Sequence, residues 1–321
     1  MAMRPTRWLA TVLCAAAIGS AAGCHKPPAY ETNSFYMGRT SEADSVSLGC
    51  ANSGKAGRMT LFFGAPTTVN GVPGATVWGA PDIDVNQIGK SVTDFVRGYA
   101  YCRQDPSFRI LIGIGTSNSA IDGRTDDWLY QHGQAWATMV RQVADVVNAN
   151  WSWAAQIYAA WDAEPSWSQF TKANAWMAGY DSVPGRLALY YNGSADGCPT
   201  TEAGIAGPWG GPCNNAWNQN AVWYLSWAYD PALPFPQIYA TSGVNARQWQ
   251  LIDLFATTVR GDGMFFFGTM SQSGACQQNG GCPGTDNTVH QAWDFMTSWL
   301  KSDARTQQGE IDGMTDVRWN T

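Results

Sequence analysis

Two acidic residues lie close together in the stretch WSWAAQIYAAWDAEPSW, residues 151–167. Asp162 and Glu164 end an aromatic, apolar run, and Trp161 and Trp167 flank them. Residues i and i+2 of a strand point to the same face, so the two carboxyl groups would share one surface, about 6–7 Å apart. Repulsion between them, together with the apolar surroundings, should make one of the two keep its proton.

One protonated and one ionised carboxyl group is the arrangement that cleaves glycosidic bonds. We expect Glu164 to donate the proton to the leaving oxygen, and Asp162 to stabilise positive charge at the sugar carbon or to orient a nucleophile. Candidates for a more distant acidic partner are Asp82, Asp84, Asp196 and Asp230. The alternative is local and structural: Asp162 caps a turn, and Glu164-Pro165 begins the next helix, because proline favours the first helical position.

The pair needs a scaffold, and apolar segments that alternate with amphipathic ones predict it. Eight segments have the composition of strands: 34–38, 59–65, 108–116, 154–162, 186–193, 221–228, 236–242 and 264–270. Helical patterns cover 86–104, 127–150, 169–180, 245–259 and 289–302, and Thr125-Asp126-Asp127 forms a candidate N-cap before the second. This alternation predicts an α/β fold, a single-domain (β/α)8 TIM barrel over 34–303 with a C-terminal tail over 304–321. The alternative is a doubly wound open sheet, although no G-x-G-x-x-G motif opens a helix after a strand.

Functional residues of such a barrel lie where the strands end. The predicted strand ends supply acidic, aromatic and amide side chains as substrate-binding candidates: Asp82, Asp84, Trp161, Tyr191, Asp196, Trp227, Tyr229, Gln237 and Tyr239. This set contains no Lys, Arg or His, and tryptophan and tyrosine rings are suited to stacking on sugars. We therefore expect a neutral, hydroxyl-rich ligand such as a carbohydrate or cell-wall glycan, with no cofactor and no metal.

Other chemistries lack their residues. A Ser-His-Asp triad needs a histidine on a loop after a strand, but His132 and His290 fall inside helical patterns and His25 lies near the N-terminus. Gly-Ser-Ala-Asp at 193–196 lacks the second glycine of a nucleophile elbow. Charged residues make up 14% of the chain, the net charge is -6, and no basic run is present, which argues against a nucleic-acid partner.

The N-terminus has the pattern of an export signal. Arg4 and Arg7 precede a short apolar stretch of small residues, which predicts a signal peptide over 1–23, too short to span a membrane. Ala21-Ala22-Gly23-Cys24 resembles a lipobox with Ala in place of the usual Leu, which predicts a lipid anchor at Cys24; cleavage after Ala22 is the alternative. Residues 24–33 would form a tether. We expect a monomer that is secreted or anchored at the cell envelope, outside the cytoplasm.

The cysteines agree with export. With Cys14 removed and Cys24 lipidated, an even set of six remains, which suggests three disulfides among fifteen possible pairings. Pairing neighbours, Cys198 with Cys213 and Cys276 with Cys282, would close the Gly/Pro-rich loops 193–215 and 271–288. Cys50 and Cys102 are then left. A zinc site is the rival interpretation, but no Cys-x-x-Cys is present and the chain has 3 His.

The D-x-E after the fourth predicted strand is followed by LALYYNGSADGCP, VWYLSWAYD and PQIYATSGVNARQW. This order resembles exported bacterial proteins with a glycoside-hydrolase-like TIM barrel, and it is distantly similar to the muramidases of glycoside hydrolase family 25, whose D-x-E lies at the same place. The resemblance covers about 34–300. It implies that Asp162 and Glu164 are the acidic pair, with Glu164 as proton donor, in an enzyme acting on a cell-envelope or other polysaccharide.

The first predicted strand departs from the muramidase pattern. It reads SFYMGRTS and lacks the Asp-x-Ser of those enzymes, and their late Asp-x-Asn has no clear counterpart. The alternative function is therefore a non-catalytic carbohydrate-binding surface lipoprotein, a pseudoenzyme on the same barrel. A structural envelope protein without a ligand is a third hypothesis.

Overall fold

The computed structural model describes residues 30–103, 107–306 and 308–321. Its strands are β1 (Glu31–Met37), β2 (Gly57–Phe62), β3 (Pro66–Val69), β4 (Val72–Val77), β5 (Ala80–Asp84), β6 (Ile110–Ser117), β7 (Ala155–Asp162), β8 (Leu189–Tyr191), β9 (Ala232–Pro234), β10 (Thr269–Ser271) and β11 (Met314–Asn320). Its α-helices are α1 (Glu42–Ala51), α2 (Val85–Cys102), α3 (Asp126–Trp151), α4 (Phe170–Asp181), α5 (Gln219–Trp223), α6 (Val244–Phe255), α7 (Ser273–Gln278) and α8 (Val289–Lys301).

Eight strands form one curled, wholly parallel sheet in the order β10-β11-β1-β2-β6-β7-β8-β9. The helices pack on its convex face and bury the main hydrophobic core there. The concave face holds smaller clusters, such as Ala160, Tyr190 and Phe235. Glycine at 113 makes this packing possible, because a Cβ there would lie 2.8 Å from the Cβ of Ala160. The chain is thus a mixed α/β protein.

Backbone hydrogen bonds link the two edge strands of the sheet. The amide of Phe267 donates to the carbonyl of Pro234 (2.8 Å), and the amide of Met270 donates to the carbonyl of Pro236 (2.9 Å). The amide of Ile238 donates to the carbonyl of Met270 (2.8 Å). These bonds join the residues after β9 to β10 and draw the two edges toward each other.

Most of the predicted elements are present. Helices over 86–104, 127–150, 169–180, 245–259 and 289–302 correspond to α2, α3, α4, α6 and α8, and five predicted strands correspond to β1, β2, β6, β7 and β8. Thr125 is the N-cap of α3, and its hydroxyl accepts the amide of Trp128 (3.2 Å). Long periodic segments and side-chain caps were the informative signals.

The strand predicted over 221–228 is wrong. Those residues continue α5 into a π-helical turn, Tyr224–Ala228. Asn218 caps α5 by accepting the amide of Ala221 (2.8 Å), and burial of Val222, Leu225 and Ser226 follows a helical spacing. A short apolar run does not by itself distinguish strand from helix. The strand at this place is β9, and the segment 236–242 contributes a single bridge, from Gln237 to Met270.

The sheet extends beyond residue 303, into the predicted tail. β11 pairs with β1 over seven residues, from Glu31–Met314 to Met37–Asn320, and it also pairs with β10. Its sequence MTDVRWN carries two charged residues, which obscured the strand pattern. A second difference lies between β2 and α2, where an antiparallel sheet of β3, β4 and β5 takes the place of a predicted loop.

The three expected disulfides are present: Cys50–Cys102, Cys198–Cys213 and Cys276–Cys282, with Cα–Cα distances of 5.1, 4.0 and 5.2 Å. Such bonds are typical of an oxidising or extracellular environment. The predicted signal peptide and Cys24 lie outside the described residues. Within the described ranges, no helix is long and apolar enough to cross a membrane. Those ranges also hold no group of three or more His, Cys, Asp or Glu that could bind a metal ion.

Asp253 of α6 gives a stability prediction. It is 2% exposed, it accepts the amide of Met264 (2.7 Å), and burial raises its pKa to about 7. This pKa lies above the value of 3.8 for the unfolded chain. The contribution of the Asp253 carboxyl group to the stability of the fold is therefore fully present below about pH 4 and is lost as the pH rises through 7. We expect Asp253→Asn to match the native protein at pH 4 and to be about 2 kcal/mol more stable at pH 8.

Urea unfolding at pH 4, 6 and 8 measures this effect. Asp294→Asn, on the exposed side of α8, is the matched control and should show no such trend. A stability difference for Asp253→Asn that is constant across the three pH values would contradict the prediction.

Candidate functional site

A cleft of about 290 Å³ opens at the C-terminal ends of the parallel strands. Its aromatic walls and polar floor come from the ends of β1, β2, β6, β7 and β11, from the segments that follow β2, β6, β7 and β10, and from the turn between β4 and β5. The lining residues are Tyr36, Phe62, Gly64, Trp78, Thr116, Ser117, Ser119, Asp162, Trp167, Gln272 and Trp319. This is the end of the sheet at which the sequence predicted the functional residues.

Asp162 is the last residue of β7 and lies on the concave face. It is 3% exposed, and its Oδ1 accepts a close hydrogen bond from Nε2 of Gln237. The neighbouring Trp161 lies on the opposite, convex face, where it stacks on Trp176 with ring centroids 4.7 Å apart. Strand alternation therefore separates the acid from the indole that precedes it.

Glu164 is held by its backbone. Asn118, directly after β6, accepts the Glu164 amide through Oδ1 (2.9 Å) and donates through Nδ2 to the Glu164 carbonyl (2.9 Å). The backbone amide of Asn118 donates to the Asp162 carbonyl (3.1 Å). Asn118 is fully buried. This clamp fixes the turn that carries the second acid relative to the first.

Burial raises the pKa of both carboxyl groups well above their ordinary values. For Glu164, the nearby charges of Asp162 and Asp196 raise the pKa further. For Asp162, the hydrogen bond from Gln237 is the largest opposing influence and favours the ionised form. One of the two carboxyl groups can therefore keep its proton at a pH at which an isolated carboxyl group is ionised.

Asp196 is the third acid near the pair. It lies in the loop after β8, is half-buried, and its Oδ2 accepts a hydrogen bond from the hydroxyl of Ser166 (2.9 Å). Its charge raises the pKa of both Asp162 and Glu164. Asp196 therefore lies close enough for its charge to favour the protonated forms of Asp162 and Glu164.

Three aromatic side chains form one wall of the cleft. The ring of Tyr36 lies 4.9 Å from that of Trp78 and 4.6 Å from that of Trp319, and the two indoles are 5.6 Å apart. The Nε1 of Trp319 is buried and has no hydrogen-bond partner among the described residues, whereas the Tyr239 hydroxyl interacts with that of Tyr36. We call Tyr36, Trp78 and Trp319 the aromatic wall. Such a surface can stack on a sugar ring, and the Nε1 of Trp319 could donate a hydrogen bond to a sugar hydroxyl group.

The local structural interpretation of the D-x-E is wrong. Asp162 binds Gln237 and does not cap a turn. Residues 165–167 form a turn, and α4 begins only at Phe170, with Gln169 as its N-cap. Pro165 therefore does not start the helix.

The structure brings together some of the predicted site residues. Asp196 and Gln237 lie close enough to Asp162 and Glu164 to shift the pKa values of these two acids, and Tyr239 lies beside Tyr36 near the pair. Tyr191 is buried behind the turn and donates its hydroxyl to the carbonyl of Ala163 (2.9 Å). Trp161, on the convex face, does not line the cleft.

Five other predicted residues lie elsewhere. Asp82 is exposed on β5, and Asp84 is the N-cap of α2, accepting the amides of Asn86 and Gln87. Trp227 donates to Asp262 (3.2 Å), Tyr229 donates to Asn174 (3.4 Å), and Asp230 pairs with Arg186 (3.0 Å). These last three lie at the end of the helical segment that leads into β9 or just after it, so they lie at the N-terminal end of the sheet.

The sequence analysis did not select Tyr36 or Trp319 for the site. Trp319 was missed because its strand was assigned to the tail. Tyr36 lies near the end of a predicted strand, which was the available signal. A cavity of about 520 Å³ lies at the opposite end of the sheet and includes Tyr30, Arg58, Phe108 and Asp312. Its charged residues are exposed or half-buried, and no buried acidic pair lines it.

No family model and no curated protein matches the chain. Among solved structures, the apo form of the homocysteine methyltransferase MmuM from Escherichia coli is similar, with a TM-score of 0.43 and 10% sequence identity. The match covers 84% of this chain and 95% of that chain. A similarity this low carries no argument about the activity of this protein.

Proposed function

We propose that this protein is an exported glycoside hydrolase that acts on a cell-envelope or other polysaccharide lacking negative charge. The observation that carries the proposal is the neighbouring carboxyl groups of Asp162 and Glu164, whose pKa values burial raises. Asp162 lines an aromatic cleft at the strand ends, and the half-buried Glu164 follows it on the next turn. An acid that holds its proton at neutral pH beside an ionised carboxylate suits glycosidic cleavage.

The reaction uses the two acids in turn. The Glu164 carboxyl gives its proton to the glycosidic oxygen as the bond from that oxygen to the sugar carbon breaks. The Asp162 carboxylate, oriented by Gln237, stabilises the positive charge that develops on the sugar ring. Water then adds to the sugar carbon and its proton returns to Glu164, so the enzyme is restored.

The finer features of the scaffold belong to the same proposal. The hydrogen bonds of Phe267, Met270 and Ile238 across the sheet edges support a closed (β/α)8 barrel. The three disulfides support export, and Cys24 is the proposed site of a lipid anchor. The protein then works as a monomer outside the cytoplasm, without a cofactor.

Reducing-sugar release from purified cell walls tests the function. The native chain should release sugar, and the double variant Asp162→Asn/Glu164→Gln should release none. Asp82→Asn, an exposed acid away from the cleft, is the matched control and should be as active as the native chain. Equal release by the native chain and the double variant would refute the proposal.

A glycan-binding protein without turnover is the second candidate, and β1 favours it: the strand ends in Tyr36-Met37 and offers no carboxylate opposite Asp162. Both candidates use the aromatic wall. We expect Trp319→Ala to weaken glycan binding about tenfold, because a stacked ring contributes roughly 1–2 kcal/mol. Calorimetry in an Asp162→Asn/Glu164→Gln background measures binding without turnover.

The control for this binding experiment is Trp209→Ala, an exposed tryptophan outside the cleft. Unchanged affinity in Trp319→Ala would remove the aromatic wall from the ligand site. Sugar release by the native chain decides between the two candidates, because a binding protein releases none.

A further inference from the structure

Exposed aromatic side chains collect at the N-terminal ends of the strands, opposite the acidic pair. Tyr101 is 90% exposed at the end of α2, Trp153 is 45% exposed after α3, and Phe108 is 45% exposed before β6. Because the helices run antiparallel to the strands, these three segments all lie at one end of the sheet. Solvent exposure of three large rings from separate segments at one end is the pattern of an interaction surface.

Basic side chains lie among these rings. Arg103 contacts the Lys55 carbonyl (3.5 Å) and lies over the Tyr99 ring, 5.2 Å from its centroid. Arg109 contacts the carbonyl of Ser152 (3.5 Å), next to Trp153. We define the basal surface by six residues at this end of the sheet: Lys55, Tyr101, Arg103, Phe108, Arg109 and Trp153. Glu310 and Asp312 line the same cavity as Phe108 and Arg109, beside Ile311 and Trp293. The exposed Asp230 also lies at this end of the sheet.

The chain enters the fold at the basal surface. Tyr30, the first described residue, contacts the ring of Phe108 with centroids 5.2 Å apart. Cys24 precedes Tyr30 by six residues, a distance of at most about 20 Å when fully extended. A lipid on Cys24 would therefore hold this end of the protein against the bilayer.

We propose that the basal surface docks on an anionic phospholipid bilayer. Tyrosine and tryptophan rings with arginine and lysine beside them are the composition of the membrane–water interface. The rings of Tyr101, Phe108 and Trp153 enter the headgroup region, and Arg103, Arg109 and Lys55 bind phosphate groups. The chain as a whole carries a net charge of -6, so the attraction depends on the local basic residues and weakens with salt.

Vesicle flotation with the full chain tests the proposal. The probe is phosphatidylcholine vesicles with one quarter phosphatidylglycerol. Phe108→Ser/Trp153→Ser should lower the vesicle partition coefficient about tenfold, because two half-exposed rings no longer enter the bilayer. The matched control is Tyr130→Ser/Trp167→Ser, whose rings are 37% and 39% exposed away from this end. The apolar N-terminal segment is the same in every chain and contributes equally.

Removing a basic side chain from the basal surface provides a second, independent test of vesicle binding. Arg109→Gln should weaken binding to the anionic vesicles about fivefold, as expected for one basic residue at such a surface, and should leave binding to pure phosphatidylcholine unchanged. Arg124→Gln, at the start of α3 and the other end of the molecule, is the control and should bind like the native chain. Equal losses in the basal variants and their controls, or no loss in either, would overturn the proposal.

Discussion

Glu164→Gln is expected to lower kcat on the natural glycan by about 10²–10⁴, the range that a positioned general acid contributes. Glutamine has no proton to give to the leaving oxygen, yet it keeps the size of the side chain. The Asn118 clamp holds residue 164 by its backbone amide and carbonyl, so the turn should stay in place. The loss then reports chemistry and leaves the fold unchanged.

The leaving group of the substrate sharpens this test. An aryl glycoside with an acidic phenol leaves without protonation, so Glu164→Gln should lose far less activity on it than on the natural glycan. Asp230→Asn is the control, since the Asp230 side chain is 88% exposed and lies at the other end of the sheet. Equal losses of activity on both substrates would exclude Glu164 as the acid.

The pH profile follows from the same proton. Burial and the charges of Asp162 and Asp196 raise the pKa of Glu164. Glu164 must be protonated to act, so kcat/KM of the native chain should fall as the pH rises through this raised pKa. In Glu164→Gln that alkaline limb should disappear from the residual activity.

Trp176→Ala is expected to destabilise the fold by about 3–5 kcal/mol, the usual cost of removing a buried tryptophan. Trp176 is fully buried in α4, stacks on Trp161 and Tyr180, and donates its Nε1 proton to Nδ1 of His132 (2.9 Å). Alanine would leave a cavity between the sheet and α3. It would also leave His132 without its donor, in a site where burial lowers the histidine pKa to about 4.

Urea unfolding at pH 7 measures the loss of stability. Trp153→Ala, a half-exposed tryptophan that follows α3, is the matched control and should change stability by no more than about 0.5 kcal/mol. If Trp176→Ala were as stable as this control, the Trp161–Trp176–Tyr180 stack would not support the sheet.

The order of the elements and the position of the acidic pair were readable from the sequence, and for one reason. The strands β6 and β7 are long apolar runs, so their ends could be located, and the D-x-E stands at one of those ends. The later part of the chain was harder. The run AVWYLSWA satisfied a strand pattern and a helical pattern equally, and only Asn218, an N-cap, distinguished them.

That single misassignment moved a set of predicted site residues. Counting 221–228 as a strand placed Trp227 and Tyr229 at the C-terminal end of the sheet, whereas the helix leads them to the N-terminal end. It also completed the count of eight without β11, so Trp319 was not considered. Contacts such as those of Gln237 with Asp162 depend on residues 75 positions apart, and local patterns hold no information about them.

The way Asn118 grips residue 164 has an implication for redesign. Both hydrogen bonds from the Asn118 side chain to residue 164 end on backbone atoms. The backbone conformation there therefore does not depend on hydrogen bonds from the side chain of residue 164. A chemist could install a thiol, an imidazole or an amine at 164 and expect each to project from the same place. Position 164 is therefore a site for exchanging functional side chains while the backbone hydrogen bonds to Asn118 are kept.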